Sequence, residues 1–282
     1  MDRPGAREGG VPDVPFLART KSFTRRSRDL NPAQERTYRR FKDEVEIEVP
    51  RDVGFTTVDP NFRLDPHALF GRAAPLVVEV GSGRGEQMLA DAAAHPERDY
   101  LAFEVWRPGL ARLVGKAGEQ GLTNIRVIEA DAQLALKTLL PEGSVSELWT
   151  FFPDPWRKSR HHKRRLVSDD FAATASRLLE EGGIWRMATD WEDYAGHMLR
   201  VAGRAGDLEN PFEDPDWVAP EPGNEVPEPS TGGFAPRWSG RVQTHFEERG
   251  AKEGRPAWDL TLVRMPWGPE SPSEAGPQGG AR

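Results

Sequence analysis

Short apolar runs alternate with amphipathic segments between residues 76 and 204. Five runs rich in Val, Ile, Leu and aromatic residues predict strands, at 76–80, 100–104, 125–130, 145–151 and 184–188. The segments between and after them predict helices, at about 86–94, up to about 119, at 132–140, 169–179 and 193–202. Because short turns join these elements, the pattern predicts right-handed βαβ units and a doubly wound, mostly parallel sheet.

The segments around this pattern differ from it in composition. Residues 1–44 are expected to form a basic, largely flexible arm, in which Asn31-Pro32 could begin a short polar helix at 33–42. Residues 45–265 form one domain, and 258–264 alternate like a further strand. Within the domain, 205–236 hold eight acids, seven prolines and no Lys or Arg, which predicts an irregular insertion. Residues 266–282 are Pro/Gly/Ser-rich and are expected to be a disordered tail.

The total composition excludes several classes of protein. Among the 282 residues there is no cysteine, which removes disulfides and cysteine nucleophiles. No apolar run approaches the roughly 18 residues of a membrane span. The N-terminus lacks the apolar core of a signal peptide, so we expect a cytoplasmic protein without a membrane partner.

The net charge of −7 argues against a polyanionic partner until its distribution is considered. The acidic insertion accounts for eight negative charges, so the other residues sum to +1. Cations cluster in two places, in the arm (Arg19, Lys21, Arg25, Arg26 and Arg28) and in the run 157–165, where six of nine residues are Lys or Arg. Each cluster predicts either a solvated segment or a contact with a phosphate backbone, and for the run we favour the latter.

A glycine-rich turn follows the first predicted strand. Glycines at positions such as Gly81 and Gly83 let a nucleotide-type ligand approach the backbone. Glu104 ends the second predicted strand, where a carboxylate can accept hydrogen bonds from ribose hydroxyls. Asp131 follows the third, where it could take part in adenine recognition, cap the next helix, or do both.

Two ligands fit such a turn, a dinucleotide or S-adenosylmethionine. The spacing here is G-x-G-x-G, whereas the dinucleotide fingerprint is G-x-G-x-x-G. Glu86 at the predicted helix start would repel a pyrophosphate. Together with Glu79 it suits the cationic S-adenosylmethionine better.

A second motif, Phe-Phe-Pro-Asp-Pro-Trp at 151–156, closes the fourth predicted strand. Ligands of open α/β sheets bind at the carboxyl ends of strands. A core strand end explains the two phenylalanines, but it does not explain an acid between two prolines. The aromatic side chains offer rings on which a base could stack, and the basic run follows directly.

These ordered motifs resemble those of the bacterial tRNA (guanine-N7-)-methyltransferases. The resemblance covers about residues 60–265 and includes the segments 79–85, 103–105, 131–132, 151–165, 187–191 and 244–250. It implies an α/β fold of the Rossmann-like, class I methyltransferase type, a doubly wound, mostly parallel seven-stranded sheet with one antiparallel strand. It also implies S-adenosylmethionine as cofactor and tRNA as partner, with the variable-loop guanine at position 46 as the methylated base.

The resemblance further implies roles for individual residues. The expected cofactor-binding set is Glu79, Gly81, Gly83, Glu104, Asp131 and Asp154. The expected substrate-binding set is Lys158, Asp190, Thr244, His245, Phe246 and Glu247. The expected RNA-binding set is Arg160, His161, His162, Lys163, Arg164 and Arg165.

The chemistry of guanine N7 sets what a catalytic residue must do. N7 carries a lone pair and no proton, so it can attack a sulfonium methyl in line and needs no base. Asp154 is the expected catalytic residue, because a carboxylate stabilises the positive charge that reaches the guanine ring. Asp190 is the second candidate, with a helix N-cap as its alternative role. The spacing of the histidines fits no zinc motif, so we expect no metal.

Two other functions are alternatives to a methyltransferase. An NAD-type oxidoreductase is disfavoured by the glycine spacing and by the lack of an acid/base pair for hydride transfer. A non-catalytic RNA-binding module is disfavoured by the complete acid set at positions 79, 104, 131 and 154. The sequence leaves open whether the protein is a monomer or a homodimer.

Overall fold

The computed structural model describes residues 29–213, 222 and 225–266. Its seven-stranded sheet has the order β3-β2-β1-β4-β5-β7-β6. The strands are β1 (Leu76–Val80), β2 (Asp99–Phe103), β3 (Ile125–Ile128), β4 (Val145–Phe151), β5 (Leu179–Thr189), β6 (Leu208–Glu209) and β7 (Trp258–Arg264). β7 runs antiparallel to both of its neighbours, and the remaining pairs are parallel. The predicted sheet, with its single antiparallel strand, is confirmed.

Helices connect the strands and cover both faces of the sheet. They are α1 (Pro32–Val45), α2 (Pro66–Phe70), α3 (Glu86–Ala94), α4 (Arg107–Glu119), α5 (Ala132–Ala135), α6 (Asp169–Leu178), α7 (Glu192–Ala202) and α8 (His245–Lys252). A 3₁₀ helix spans Ser159–Arg164. Neighbouring strand residues face opposite layers, so that Val77 and Val78 belong to two separate apolar cores. No helix in the described ranges combines the length and apolarity that crossing a bilayer requires.

The end of the predicted N-terminal arm is part of the packed body. Asn31 caps α1 with a capping box, accepting from the backbone N–H of Ala33 and Gln34. The helix packs against α4, and Tyr38 is 5% exposed. The expectation of a flexible arm up to residue 44 therefore needs correction for 32–44, because an apolar face of this helix is buried. The five cations at 19–28 lie outside the described residues.

The ends of the predicted insertion also join the fold. Leu208 and Glu209 form β6 on β7, and Ala235 bridges to Asp259 of the same strand. Phe234 is buried beside Trp258. The irregular stretch is thus shorter than 205–236, because apolar residues at both ends pair with the sheet. Positions 214–221 and 223–224, and the expected tail from 267 onward, lie outside the described residues.

Other differences lie at element ends. The third strand ends at Ile128 and α5 at Ala135, both earlier than expected. β5 begins at Leu179 rather than at 184, because this end pairs with Val145 across a register shift. The sequence did not predict α2, α8 or the 3₁₀ helix, which are short and lack a long amphipathic repeat.

The contact between α1 and α4 depends on two glycines. A Cβ on Gly118 would overlap the ring of Phe41, and one on Gly115 would lie 2.8 Å from Cγ2 of Thr37. The helices can therefore approach closely only while both positions lack a side chain.

Gly118→Ala is expected to lower the free energy of unfolding by about 1–2 kcal/mol, since overpacking exceeds the gain in helix propensity. Urea unfolding measures this effect. Gly203→Ala is the matched control, because a Cβ there would lie 3.6 Å from its nearest neighbour, the carbonyl oxygen of Leu199. Equal stability of the two variants would contradict the predicted clash.

Candidate active site

A cavity of about 210 Å³ opens at the carboxyl end of the parallel strands. One wall comes from the turns after β1, β2 and β3, and the other from the segment after β4 and the start of α8. This is the position at which open α/β sheets bind ligands. Of the predicted site residues, the cavity is lined by Glu79, Gly81, Gly83, Glu104, Asp131, Asp154, Arg164, Thr244 and His245.

The glycine turn owes its shape to left-handed backbone conformations and to one carboxylate. Gly81 and Gly83 have φ of 75° and 57°, which favour glycine. The Glu104 side chain accepts hydrogen bonds from the backbone N–H of Gly83 at 2.6 Å and of Val105 and Trp106 at 2.7 Å. Glu104 therefore builds the turn. A carboxylate can accept more than three hydrogen bonds, so the expected contact with ribose stays a prediction.

Glu79 is a buried acid in the wall of the cavity. Its Oε2 has no hydrogen-bond partner among the described residues. Burial, followed by the negative charges of Glu104 and Asp91, raises the pKa of Glu79 to about 8. An uncompensated buried carboxyl of this kind fits a cationic or donating ligand group, so the residues present fit S-adenosylmethionine.

The structure bears on both roles that the sequence suggested for Asp131, the helix cap and the ligand contact. Its side chain caps α5 by accepting from the backbone N–H of Gln133 at 3.1 Å. It also faces the cavity, and its own N–H donates to the carbonyl of Thr56 at 2.8 Å. The capping role is confirmed, and adenine recognition remains a prediction.

The segment after β4 carries Asp154 into the cavity on a strained backbone. Phe152 and Trp156 have positive φ values of 50° and 48°, a backbone conformation that residues other than glycine rarely adopt. The N–H of Phe152 donates to the carbonyl of Ala188 at 2.8 Å. The Trp156 ring meets the edge of His161 and lies under the guanidinium of Arg164, 5.0 Å from its centroid. Trp156 also lines the cavity, so an aromatic face lies beside Asp154.

Side chains of α3 hold residues 240–245, which lead into the start of α8 in the second wall. Gln87 donates to the carbonyl of Gly240 at 3.0 Å and accepts from the N–H of Val242 at 2.7 Å. Glu86 accepts from the N–H of His245 at 2.8 Å. Glu86, which the sequence analysis placed near a cationic ligand, thus anchors the start of α8.

Arg241 supports the cavity from behind its wall, and the sequence analysis missed it. It is fully buried and pairs with Glu247 at 2.9 Å and with Asp259 at 2.6 Å. Its guanidinium also lies over the ring of Phe152, 5.1 Å from the centroid. No local signal identifies Arg241 or Gln87, because their partners come from distant segments.

Several expected substrate-binding residues lie away from the described cavity lining. Asp190 pairs with Arg255 at 2.8 Å, and Trp191 rather than Asp190 occupies the N-cap of α7, so the alternative capping role is wrong. Glu247 pairs with Arg237 and Arg241, which makes it a structural anchor. Lys158 is exposed at the start of the 3₁₀ helix. For Phe246 the structure describes the backbone in α8 and not the side chain.

The basic run is not uniform in exposure. Arg160 and Lys163 are exposed on the 3₁₀ helix, while His161 and His162 are partly buried. Arg165 is only 2% exposed. Its guanidinium is enclosed by protein groups, so Arg165 does not present the exposed cation that the expected RNA contact requires. No group of three His, Asp or Glu side chains in the described ranges is arranged to hold a metal ion.

Comparison with known proteins identifies the fold as that of a methyltransferase. The sequence model of a family described as "Putative methyltransferase" matches residues 73–260, which is most of the domain. These residues include both walls of the cavity. The fold, the cavity and this match define the class of the protein as a methyltransferase.

Curated relatives specify the family. The tRNA (guanine-N(7)-)-methyltransferase of Paenarthrobacter aurescens (strain TC1) is 41% identical over 276 residues, covering 87% of this chain and 92% of the relative. The enzyme of that name from Cutibacterium acnes is 44% identical over 244 residues, covering 86% and 83%. That from Escherichia coli (strain UTI89 / UPEC) is 38% identical over 249 residues, covering 88% and 93%. The chain belongs to the tRNA (guanine-N7-)-methyltransferase family.

The raised pKa of Glu79 predicts a pH dependence of stability. The folded protein keeps this proton up to about pH 8, whereas the unfolded chain releases it near its ordinary value of 4.5. The free energy of unfolding without ligand should therefore fall as the pH rises between these values. Glu79→Gln should remove this part of the pH dependence in urea unfolding between pH 5 and 8.5.

Glu180→Gln, at an exposed carboxylate of β5, serves as the control and should retain the wild-type slope. A slope that Glu79→Gln leaves unchanged would show that Glu79 is not the group responsible.

Proposed function

We propose that this protein transfers a methyl group from S-adenosylmethionine to N7 of the guanine at position 46 of tRNA. The observation that carries the proposal is that one cavity is lined both by the glycine turn with Glu79 and by Asp154 and Thr244. A methyl donor held on the first wall and a base held on the second would lie next to each other. Positioning two reactants in this way supplies a large part of the catalysis of a direct transfer.

The first wall matches the polar groups of the cofactor. S-adenosylmethionine supplies an electrophilic methyl group on a sulfonium. The carboxyl of Glu79 would bind its amino group, Glu104 the ribose hydroxyls and Asp131 the adenine. The backbone of Gly81 and Gly83 leaves room for this approach, since neither residue carries a side chain.

Asp154 is the proposed catalytic residue of the second wall. Its carboxylate can accept hydrogen bonds from N1–H and the amino group of guanine, which adenine does not present in this arrangement. The negative charge also stabilises the positive charge that develops on the guanine ring during transfer. Trp156 offers a face on which the base can stack. No residue needs to remove a proton from N7.

The exposed part of the basic run borders this wall and suits the tRNA backbone. Arg160 and Lys163 extend into solvent on the 3₁₀ helix, while Arg164 lies over Trp156 at the cavity. We assign phosphate contacts to Arg160 and Lys163. Lys158 is exposed at the start of the same helix, four residues after Asp154. We assign it a contact with the substrate near the methylated base.

Methyl incorporation into unmodified tRNA tests the proposed function. Labelled S-adenosylmethionine and an unmodified transcript should give label in the tRNA, and strand cleavage at N7-methylguanine should map it to position 46. A transcript with adenine at that position should accept no label. Cleavage at another guanine would refute the assignment of the position, and absence of label would refute the activity.

Asp154→Ala is expected to lower kcat for tRNA methylation by about 10²–10³-fold, because a charge-stabilising group is lost. Asp154 is exposed, so the thermal midpoint should stay near the wild-type value. Asp170→Ala, which removes an exposed carboxylate from the first turn of α6, is the control. A near-normal rate for Asp154→Ala would eliminate Asp154 as the catalytic residue.

Replacing Arg160 and Lys163 together by alanine should weaken tRNA binding and flatten its dependence on salt. Each lost phosphate contact lowers the slope of log K against log salt by about 0.7–0.9. Filter binding at several salt concentrations measures the slope. The control replaces Lys137 and Arg204, which pair with Asp170 and Asp169 of α6, and should retain the wild-type slope. An unchanged slope in the Arg160/Lys163 variant would show that these two residues are solvated and do not contact phosphates.

A further inference from the structure

Arg165, the last residue of the basic run, is enclosed by groups from three segments of the chain. Its Nε donates to the carbonyl of Pro155 at 3.0 Å. A terminal nitrogen donates to the carboxylate of Asp193 and lies 3.1 Å from Nε2 of His162. The guanidinium stacks over the ring of Tyr194, 4.8 Å from its centroid. The Arg165 side chain is 1% exposed, so these contacts leave no face for a ligand.

The partners of Arg165 are firmly placed. Asp193 and Tyr194 lie in the first turn of α7, and Tyr194 is fully buried. The hydroxyl of Tyr194 accepts from the N–H of Val167, which follows the run closely. Although partial burial opposes ionisation of Asp193, its pKa lies below the ordinary value because Arg165 donates to it. Arg165 thus connects a rigid helix to the segment that holds Asp154.

The Asp154 segment requires such support because its two prolines limit the backbone hydrogen bonds that it can donate. Pro153 and Pro155 have no N–H, so neither can donate to a neighbouring backbone. Trp156, directly after them, adopts a strained positive φ of 48°. Strained conformations persist where surrounding groups hold them. The hydrogen bond from Arg165 to the Pro155 carbonyl acts on the residue next to Asp154.

We infer that Arg165 and Asp193 position the Asp154 segment for methyl transfer and that Arg165 does not contact RNA. This inference rests on the proposed role of Asp154. The run therefore divides by function, with Arg160 and Lys163 facing the tRNA backbone and Arg165 facing the enzyme. Turning Arg165 outward would remove the donor of the Pro155 carbonyl, the packing over Tyr194 and the ion pair with Asp193. Because the Asp193 side chain is 48% exposed and water can solvate it, the cost falls mainly on the Pro155 carbonyl and on the lost packing.

The matched comparison is Arg165→Met against Lys163→Met, since each removes one charge from the same run. Steady-state methylation gives kcat and KM for tRNA, and filter binding gives the salt slope without turnover. For Arg165→Met we expect kcat to fall by at least tenfold, with KM for tRNA and the salt slope near wild type. For Lys163→Met we expect the effect in KM and in a flatter salt slope.

A double-mutant cycle tests the connection to α7. Asp193→Asn should lower kcat in the same direction, and adding it to Arg165→Met should cause little further loss, because both act through one contact. Arg165→Lys keeps the charge and N–H donors but loses the planar fork that reaches Pro155 and Asp193 together, so it should restore part of kcat. If Arg165→Met does not fold, kcat and KM for tRNA are measured for Arg165→Lys and Asp193→Asn instead, and we again expect the loss in kcat rather than in KM.

Two results would overturn the inference. One is a salt slope that falls in Arg165→Met as much as in Lys163→Met, with kcat unchanged. The other is full additivity of Arg165→Met and Asp193→Asn. The proposed function fails separately, in the wild-type assay, if no label enters tRNA.

Discussion

The carboxylate of Glu104 is the contact on which the geometry of the cavity depends. It accepts backbone N–H groups from the turn after β1 and from the turn after β2, and so connects two crossovers of the sheet. The left-handed glycines of the first turn are placed by this bond. Because β1 also pairs with β4, the turn has a fixed distance from the strand that delivers Asp154. The two walls can therefore form one cavity.

Glu79 in the cavity differs from two other acids of the fold, Glu247 and Asp259, in how its charge is compensated. Glu247 and Asp259 are paired with arginines inside the protein. Glu79 instead keeps one oxygen without a partner among the described residues and holds its proton through burial. Glu247 and Asp259 thus have internal cations, whereas the proposed partner of Glu79 is a ligand. A cationic cofactor bound as proposed would supply the partner that Oε2 of Glu79 lacks among the described residues.

Local patterns were enough to predict much of the fold and part of the site. The bounds of β1, α3, β4 and β7 agree with the prediction, because apolar runs and glycine or proline residues mark their ends. The glycine turn and the Asp154 segment are likewise local. The roles of Arg165, Asp190 and Glu247 were not predictable, because each depends on burial and on a partner in another element. Asp190 and Arg255, for example, are 65 residues apart.

The attachment of residues 240–245 to α3 has a consequence for the order of assembly. Gln87 and Glu86 meet partners that follow them by 153 to 159 residues. Such distant contacts form late, because a long loop must close first. During synthesis, the first four strands and the glycine turn leave the ribosome well before Gly240 and β7. The turns after β1, β2 and β3 and the Asp154 segment can thus be synthesised while the part of the cavity wall at the start of α8 is still missing, and the cavity is complete only when residues 240–245 have joined α3.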